Sequence, residues 1–310
     1  MGKSKSKILV IGDVMVDAYI YGKSKRNSPE AISIPVIIPE KKHFAIGGAG
    51  NVAANLKSMG ADVAIIGVLG NDRSKDIFCD LADGIDISQL IISEKHTTTL
   101  KQRTFLDNKQ IYRMDEEEIL DDKFNNNIID SFNQILKRFD VVILSDYNKG
   151  VLNSVTISHI INECKKFDIP IIVDPKKEDF YVYSDCTVVT PNLEEFKKAS
   201  KINNCDENTL IDAAHRIISE NNIKYIAITR SEDGILLVGE NIKKNYVMEK
   251  VDDPDVTGAG DSVVAALSII FSMTKDIKLS VDIANKVGNL VVQKIGTAVV
   301  SKNELDNLIN

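Results

Sequence analysis

The sequence predicts an α/β domain in which helices cover both faces of a doubly wound, mostly parallel sheet. Short runs rich in Val and Ile alternate with amphipathic helical patterns over most of the 310 residues. The runs lack a strict polar–apolar alternation, which is typical of strands that are buried on both faces. Polar side chains also gather where several runs end, as they do at the binding edge of such sheets. Together these observations indicate a parallel sheet between two layers of helices.

The predicted elements follow one another along the chain. The predicted strands are residues 7–14, 62–69, 140–145, 169–174, 187–190 and 224–229. The predicted helices are residues 50–59, 74–82, 125–138, 155–167, 193–200 and 207–221, and an almost wholly apolar one at 262–273. The amphipathic helices repeat apolar residues at spacings of three and four, which puts them on one face.

Two regions break this alternation. Residues 34–46 give strand-like pieces interrupted by Pro35 and Pro39, and residues 97–114 give two alternating runs around the turn-forming pair Asp107-Asn108. We expect a small sheet, formed by about 15–46 and 97–115, that projects from the core as a lid or a dimer contact. Since no repeat or long linker is visible, the simplest organisation is one domain over 1–310 that includes this lid.

Composition excludes several classes of protein. The net charge of −7 argues against a nucleic-acid-binding surface, which needs a basic face. The longest apolar run is too short to cross a membrane, and no signal peptide is visible. The four cysteines show no paired spacing, so we expect reduced thiols in a cytoplasmic protein. The four histidines are scattered, which gives no transition-metal motif.

The segment 255–262 combines an anion site with a base. Gly258, Ala259 and Gly260 precede the apolar helix, so their N–H groups would lie at a helix N-terminus that attracts anions. Asp261 is poorly placed to bind a phosphate itself, but it could take a proton from a hydroxyl that attacks one. The alternative is a glycine-rich turn in which Asp261 only favours the helix dipole.

Polar residues follow five of the predicted strands. They are Asp13 and Asp17, Asp146 and Lys149, Asp174 and Lys176, Asn192 and Glu195, and Thr229 with Arg230. Because ligands of open α/β sheets bind at the carboxyl ends of strands, these residues suggest a charged ligand and a metal. Carboxylates at Asp13 and Asp17 suit vicinal hydroxyls, although for Asp17 alone a turn residue after a strand is the favoured interpretation. Glu195 could reach a water on Mg²⁺.

The segment 47–53 has three interpretations. Its Gly48-x-Gly50 core, with Asp72 about twenty residues on, matches a dinucleotide-binding fingerprint. Residues 41–46, however, make a poor buried strand, and that fingerprint needs one. In a sugar-binding site, Gly47 and Gly48 would let hydroxyls approach the backbone while Asn51 donates and accepts hydrogen bonds. A packing role for the glycines is the third interpretation.

The predicted hairpin carries Lys101, Arg103 and Arg113. Lys101 and Arg103 share one face of a strand, because strand side chains alternate between faces. A cationic face on a lid would suit a second phosphate that belongs to the acceptor. Edge-strand charges that prevent aggregation are the alternative.

On these residues the chain resembles the ribokinase-like (PfkB) carbohydrate kinases over essentially its whole length. Residues 47–60 are similar to the family's N-terminal Gly-Gly…Asn signature, and 255–261 to its C-terminal signature, whose last Asp is the catalytic base. Residues 192–195 are similar to its Asn-x-x-Glu motif for metal and phosphate. Because the three signatures occur in this order, the resemblance accounts for the glycines at 47–50, and it implies that their match to a dinucleotide-binding fingerprint is a coincidence.

Within that family the chain looks most like the bacterial D-glycero-β-D-manno-heptose 7-phosphate kinases. The supporting residues are 12–17, 28–31, 34–36, 101–103, 113–115, 145–150 and 174–176. The resemblance implies phosphorylation of the anomeric hydroxyl by ATP and Mg²⁺, giving heptose 1,7-bisphosphate for ADP-heptose biosynthesis. Such enzymes are often fused to a nucleotidyltransferase; because the chain ends at Asn310, we expect that second activity to be absent.

The resemblance also implies a role for each candidate residue. Asp261 would be the base, with the Gly258–Gly260 amides beside it. Asn192, Thr229, Arg230 and Ser231 would lie along ATP, and Glu195 would hold Mg²⁺ through water. The sugar phosphate would contact Asp13, Asp17, Gly47, Gly48, Asn51, Lys101, Arg103, Arg113, Asp146, Lys149, Asp174 and Lys176. Lys101, Arg103 and Lys149 are the candidates for its distal phosphate.

Three other functions stay open at this stage. A kinase of the same family that acts on another sugar, sugar phosphate or nucleoside would differ only in its acceptor pocket. A dehydrogenase would use the 47–53 glycines for a dinucleotide, and a sensor would bind a sugar phosphate without turnover. We expect no nucleic-acid or membrane partner, and a homodimer in which paired lids cover their exposed edges.

Overall fold

The structure, a computed structural model, describes residues 5–31, 33–107, 109–252, 254–294 and 299–309. These residues form strands β1 (Lys7–Gly12), β2 (Val14–Asn27), β3 (Pro35–Gly48), β4 (Asp62–Ile66), β5 (Val68–Gly70), β6 (Ile91–Ser93), β7 (Thr99–Leu106), β8 (Lys109–Glu116), β9 (Val141–Ser145), β10 (Ile171–Asp174), β11 (Val188–Val189), β12 (Tyr225–Thr229), β13 (Ile235–Gly239) and β14 (Ile242–Tyr246). The helices are α1 (Ala49–Ser58), α2 (Arg73–Leu81), α3 (Asn125–Ile135), α4 (Ser154–Lys166), α5 (Leu193–Ser200), α6 (Glu207–Asn221), α7 (Ala259–Thr274), α8 (Ile277–Val291) and α9 (Lys302–Ile309).

The central sheet has eight strands in the order β14-β13-β12-β11-β10-β9-β1-β4. All pairs from β4 to β12 are parallel, and β13 and β14 join one edge as an antiparallel hairpin. Alternate side chains of each strand enter two separate apolar clusters, one on each face. Helices α1, α7 and α8 cover one face, and α3, α4 and α6 cover the other. The predicted doubly wound α/β class is confirmed.

A second sheet projects from this core, and we call it the small sheet. Its four strands lie in the order β3-β2-β7-β8. Strand β2 is antiparallel to β3 and parallel to β7, which is antiparallel to β8. In the turn between β7 and β8, Asp107 has a φ of 48°, and Asn108 lies outside the described residues. The two segments expected to pair therefore do so in this structure.

Several boundaries differ from the prediction. The strand expected at 7–14 ends at Gly12, which still pairs with Ser145 of β9 and packs so closely on the Ser145 carbonyl that no side chain would fit. The chain then enters β2, so Asp17 lies inside the small sheet rather than at the end of the first strand. Gly67 similarly divides the strand expected at 62–69 into β4 and β5. The hairpin β13–β14 was not predicted.

Within the described ranges, no helix combines the length and the apolar character that crossing a membrane requires.

The core supports a stability prediction. Ile143 is fully buried at the centre of β9. Ile143→Ala should lower the free energy of unfolding by about 2–5 kcal/mol, because it removes buried methyl groups and leaves a cavity. The matched control is Val155→Ala on the outside of α4, where the side chain is 54% exposed and the effect should stay within about 0.5 kcal/mol. Urea unfolding followed by circular dichroism measures both, and equal effects would contradict this account of the core.

Candidate active site

A cavity of about 200 Å³ opens at the carboxyl ends of β9 to β12, beside the N-terminus of α7. Its lining residues are Asp146, Tyr147, Asp174, Pro175, Lys176, Thr190, Asn192, Glu195, Thr229, Gly258, Gly260, Asp261 and Val264. These residues come from five separate segments of the chain, four of which carry predicted strand-end residues. The structure therefore brings the candidates of the C-terminal half together at one edge of the sheet.

The N-terminus of α7 forms one wall of this cavity. Gly258 precedes the helix with a φ of 72°, a left-handed conformation that favours glycine. A side chain placed on Gly260 would meet no atom within 4 Å, so the space above this turn is open. The N–H of Ala259 donates to the Val256 carbonyl at 3.2 Å and is already used. The helix N-terminus predicted as an anion site therefore borders the cavity, and the Ala259 N–H is bonded within its own turn.

Asp261 points inward and is only 7% exposed. One carboxylate oxygen accepts from Asn51 Nδ2 at 2.6 Å, and the other accepts from the Tyr147 hydroxyl at 2.9 Å. Burial raises the pKa of Asp261 to about 6; the nearby Asp17 adds to the rise, while the hydrogen bonds from Asn51 and Tyr147 oppose it. A group that titrates near neutral pH can be ionised and still accept a proton readily. An exposed Asp that only favours the helix dipole would also be ionised at neutral pH, but with a pKa of about 4 it would be a weaker base.

Asn51 is held in place by its neighbours on α1 and α7. Asn55 Nδ2 donates to the Asn51 carbonyl at 3.0 Å, and the Ser262 hydroxyl donates to Asn55 Oδ1 at 2.8 Å. All three side chains are buried. The two helices that begin at the glycine-rich segments are therefore tied together beside the Asp261 carboxylate.

Gly47 and Gly48 allow β3 to approach β2 closely. A side chain on Gly47 would strike the Asp17 carboxylate, and one on Gly48, whose φ is 58°, would strike the Asp13 carbonyl. Strand β3 is an antiparallel member of the small sheet. A dinucleotide fingerprint instead follows a buried parallel strand. Gly47 and Gly48 therefore have the packing role, and the strand before them is not the buried parallel strand that a dinucleotide-binding fingerprint follows.

Two predicted acceptor ligands are occupied by the protein itself. The Asp13 carboxylate accepts from the backbone N–H groups of Tyr147, Lys149 and Val151 at 3.0–3.1 Å. Asp146 accepts from the Tyr183 hydroxyl at 2.6 Å and from a backbone N–H at 2.7 Å. Burial raises the pKa of both carboxyl groups. These aspartates hold the loop after β9 in shape; Asp13 accepts three bonds from it, whereas each Asp146 oxygen keeps a further lone pair at the cavity.

The Asn192–Glu195 segment forms a capping box at the start of α5. The Asn192 side chain accepts from the Glu195 N–H at 2.9 Å, and Glu195 accepts from the Asn192 N–H at 3.0 Å. The other Glu195 oxygen accepts from Lys176 Nζ at 2.9 Å. Thr229 lies beside Asn192 through an isolated parallel bridge. Arg230 and Ser231 lie outside the cavity lining, and Arg230 donates to Asn245 at 2.5 Å.

Carboxylates dominate the floor of the cavity. Burial, together with the nearby charges of Asp261 and Glu195, raises the pKa of Asp174 well above its usual range. In the described part of the chain, no three His, Cys, Asp or Glu side chains are grouped to hold a metal ion by themselves. A cation here would need ligands from a bound molecule or from water.

The cations of the small sheet face acids of the same region. Arg103 pairs with Asp17 at 2.5 Å, and Arg113 makes two bonds to Asp115 at 2.7 and 2.8 Å. Lys149 pairs with Glu117 at 2.6 Å. Lys101 has no such ion pair among the described residues; its ammonium lies 5.6 Å from the centre of the Tyr147 ring, and burial lowers its pKa.

Tyr147 was not among the predicted site residues. A tyrosine next to Asp146, directly after a buried strand, was the signal in the sequence. That signal does not show which way the Tyr147 ring points, because the conformation of its loop depends on three backbone hydrogen bonds to the distant Asp13. Asn55 and Tyr183 were also missed, because no local pattern indicates their distant partners Ser262 and Asp146.

The class of protein is set by a comparison of sequence patterns. The pattern of the pfkB family of carbohydrate kinases matches residues 5–304, and the chain belongs to this family. It is 38% identical over 310 residues to the bifunctional protein HldE of Campylobacter curvus, covering 98% of this chain and 65% of that protein. It is 37% identical over 304 residues to the bifunctional protein HldE of Sulfurimonas denitrificans, covering 97% and 63%. The chain thus spans slightly less than two thirds of these relatives.

Solved structures share the fold. Arabidopsis thaliana ribokinase in complex with ribose and ATP superposes with a TM-score of 0.75 at 16% identity, covering 99% of each chain. Phosphofructokinase-2 of Escherichia coli in complex with potassium gives a TM-score of 0.76 at 18% identity, covering 98% of each. The ribokinase-like fold implied by the resemblance is confirmed.

The geometry around Asp261 predicts its titration. The side-chain carboxyl ¹³C resonance of Asp261 should titrate with a midpoint near pH 6, because burial outweighs its two hydrogen bonds. An ordinary exposed Asp titrates near 4. Selective ¹³C labelling of aspartate measures this, and Asp261→Asn assigns the resonance by removing it. A midpoint below 4.5 would contradict the environment described here.

Proposed function

We propose that this chain transfers a phosphoryl group from ATP to the anomeric hydroxyl of D-glycero-D-manno-heptose 7-phosphate, giving heptose 1,7-bisphosphate. The observation that carries the reaction type is the buried Asp261 carboxylate beside the open helix N-terminus at Gly258 and Gly260. The substrate rests on the resemblance of the sequence and on the cations of the small sheet. This product would then enter the synthesis of a nucleotide-activated heptose, in the cytoplasm.

Asp261 would act as the general base. Its carboxylate is ionised at neutral pH, because its pKa is about 6, and it can accept the hydroxyl proton as the oxygen attacks phosphorus. The N–H groups and dipole at the start of α7 would stabilise negative charge on the transferring group. The hydroxyl proton ends on Asp261, and ADP leaves in line with the attacking oxygen.

The residues at the cavity floor suit a hydrated Mg²⁺. Asp174, Glu195 and Asp261 repel one another there, as the raised pKa of Asp174 indicates, and a divalent cation would relieve that repulsion. Because Glu195 already accepts from Lys176 and Asn192, it would act through water. Bound Mg²⁺ would neutralise charge on the ATP phosphates.

ATP would extend from α7 toward the hairpin β13–β14. Asn192 and Thr229 line the phosphate end. A second cavity, of about 580 Å³, is lined by Asn245, Tyr246 and Asn285 among others, and Asn285 Oδ1 is buried without a partner in the described structure. Arg230 follows Thr229 of the first cavity in the chain, precedes Ser231 and donates to Asn245 of the second. This arrangement supports the nucleotide roles predicted for Arg230 and Ser231.

The small sheet supports an acceptor with a distal phosphate. Lys101 lies in the row of Asp17 and Asp115, and Arg103 and Arg113 form the next row outward. Neighbouring rows on one face are about 6.5–7 Å apart, because successive side chains on that face are two positions apart along the strand. With its reacting hydroxyl at Asp261, a sugar phosphate could reach the arginine row with its far end.

We further infer that the small sheet closes over the acceptor as a lid and excludes water, as part of one domain over 1–310. It also offers a surface for a second copy of the chain. Its exposed apolar side chains include Ile38, Ile111, Tyr112 and Met114, and β8 is an open edge. Light scattering of the purified protein would test for the dimer.

ADP release with Mg-ATP tests the proposal as a whole. The acceptors are the heptose 7-phosphate, the same heptose without phosphate, fructose 6-phosphate, ribose and adenosine. A strong preference for the heptose 7-phosphate over the free heptose would support the acceptor and the distal phosphate. Turnover of another acceptor would overturn the substrate alone. Binding of the sugar phosphate without turnover would indicate a sensor, and tight binding of NAD but not ATP a dehydrogenase.

Asp261→Asn should lower kcat by about 10²–10⁴, because the general base is lost, and leave ATP binding nearly unchanged. Steady-state kinetics and calorimetry measure the two effects. Asp76→Asn is the matched control, since Asp76 also lies in the first turn of a helix but is exposed. If both variants kept wild-type kcat, Asp261 would have no part in the chemistry.

Arg103→Ala should raise the KM for the sugar phosphate several-fold more than the KM for ATP, because Arg103 belongs to the outer row of the small sheet. The matched control is Arg138→Ala, which breaks a similar Arg–Asp pair at Asp86, on the far side of the molecule. Equal changes in both KM values would remove Arg103 from the distal-phosphate site.

A further inference from the structure

We propose that Tyr147 is a positioning residue for Asp261, held in place by Asp13 and contacted from the small sheet by Lys101. The inference rests on the proposed function, in which Asp261 is the base. It assigns to Tyr147 a role in holding that base, whereas the sequence pointed only to residues that touch the sugar or ATP.

The first step of the argument is the geometry of the carboxylate. Asn51 holds one oxygen of Asp261 at 2.6 Å, and the Tyr147 hydroxyl holds the other at 2.9 Å. The terminal torsion of an aspartate side chain is broad, so a carboxylate without such donors samples many orientations. With one donor on each oxygen, the plane is fixed and each oxygen keeps a further lone pair for the acceptor hydroxyl.

The second step is what fixes Tyr147. Its loop leaves β9 and has no strand partner, and Asn148 and Gly150 have φ values of 57° and 109°. Three successive backbone bonds to the buried Asp13 carboxylate hold this irregular segment at 3.0–3.1 Å. Asp13 lies between β1 and β2, so the loop is attached to the core of the sheet rather than to solvent-exposed chain.

The third step concerns the charges around the pair. The titratable groups that face Asp261 are Asp17 and Lys101 of the small sheet, Tyr147, and Asp174 at the end of β10. Burial and the Asp261 charge raise the pKa of Tyr147 well above its usual range, so its hydroxyl remains a donor. Lys101 lies 5.6 Å from the ring centre, within reach of a cation–π contact. The ring thus lies between the sheet that would bind the acceptor and the base.

Tyr147→Phe tests the proposal, because it keeps the ring and removes only the donor. A hydrogen bond to a charged group shifts an ionisation equilibrium by about tenfold or more. The ¹³C midpoint of Asp261 should therefore rise by about one pH unit. The acid limb of kcat/KM should move with it, so that kcat/KM falls about fivefold more at pH 6 than at pH 8, while the KM for ATP is unchanged.

Tyr183→Phe is the matched control, since it removes a buried phenol hydroxyl that donates to a different carboxylate, Asp146. It should leave the acid limb and the Asp261 midpoint where they are. Asp13→Asn is a second variant; it weakens the anchor of the loop and should move the midpoint in the same upward direction.

A midpoint and an acid limb within 0.3 units of wild type in Tyr147→Phe would overturn the proposal, as would an equal shift in Tyr183→Phe. If Tyr147→Phe does not fold, an unshifted midpoint in Asp13→Asn overturns it instead. The titration needs no turnover. A wild-type protein without kinase activity would therefore refute the proposed function, while the midpoint would still decide whether Tyr147 holds Asp261.

Discussion

The structure depends on keeping one carboxylate charged in the buried first turn of an apolar helix. Asp261 is the third residue of α7, whose residues 262–271 are all buried, and it is itself 7% exposed. A buried charge is tolerated only when hydrogen bonds replace its lost water. The donors are Asn51 of α1 and Tyr147 of the loop after β9. Asp261 therefore receives both hydrogen bonds only when the sheet, the two helices and this loop are correctly placed relative to one another.

The loops at the binding edge are shaped by side chains more than by strand pairing. Asp13 binds three backbone N–H groups of the loop after β9, and Asp146 binds Tyr183 and Asn148. Buried carboxylates that accept several backbone bonds give an irregular loop a single conformation without extending the sheet. Burial disfavours the charged form of both carboxyl groups, and their pKa values are raised for that reason. A rigid loop at this edge is what a precise site requires.

Arginine side chains of the small sheet are already held in ion pairs without a ligand. Its arginines pair with acids of the same sheet, namely Arg103 with Asp17 and Arg113 with Asp115. The Arg113–Asp115 pair is partly exposed, so it contributes little to stability and a phosphate could take over Arg113 at small cost. Asp17 is buried, so Arg103 would bind a phosphate with its further N–H groups while keeping that pair. Lys101 is different, because it has no ion pair in the described chain and faces an aromatic ring. The sheet therefore offers two kinds of cation to an anionic ligand.

The sequence by itself determined the fold class, the strand-end clustering and the two glycine-rich helix starts, because each depends on local periodicity or on backbone freedom at glycine. It also indicated Asp261 and its anion site, since both lie within one short segment. Only the tertiary structure decided which way Tyr147 turns, that Asp13 serves the backbone, and that Lys101 alone of the cations predicted for the sugar phosphate lacks an ion pair in the described chain. Those outcomes depend on contacts between residues more than 45 positions apart, and no local pattern encodes the partner that a buried polar group will find.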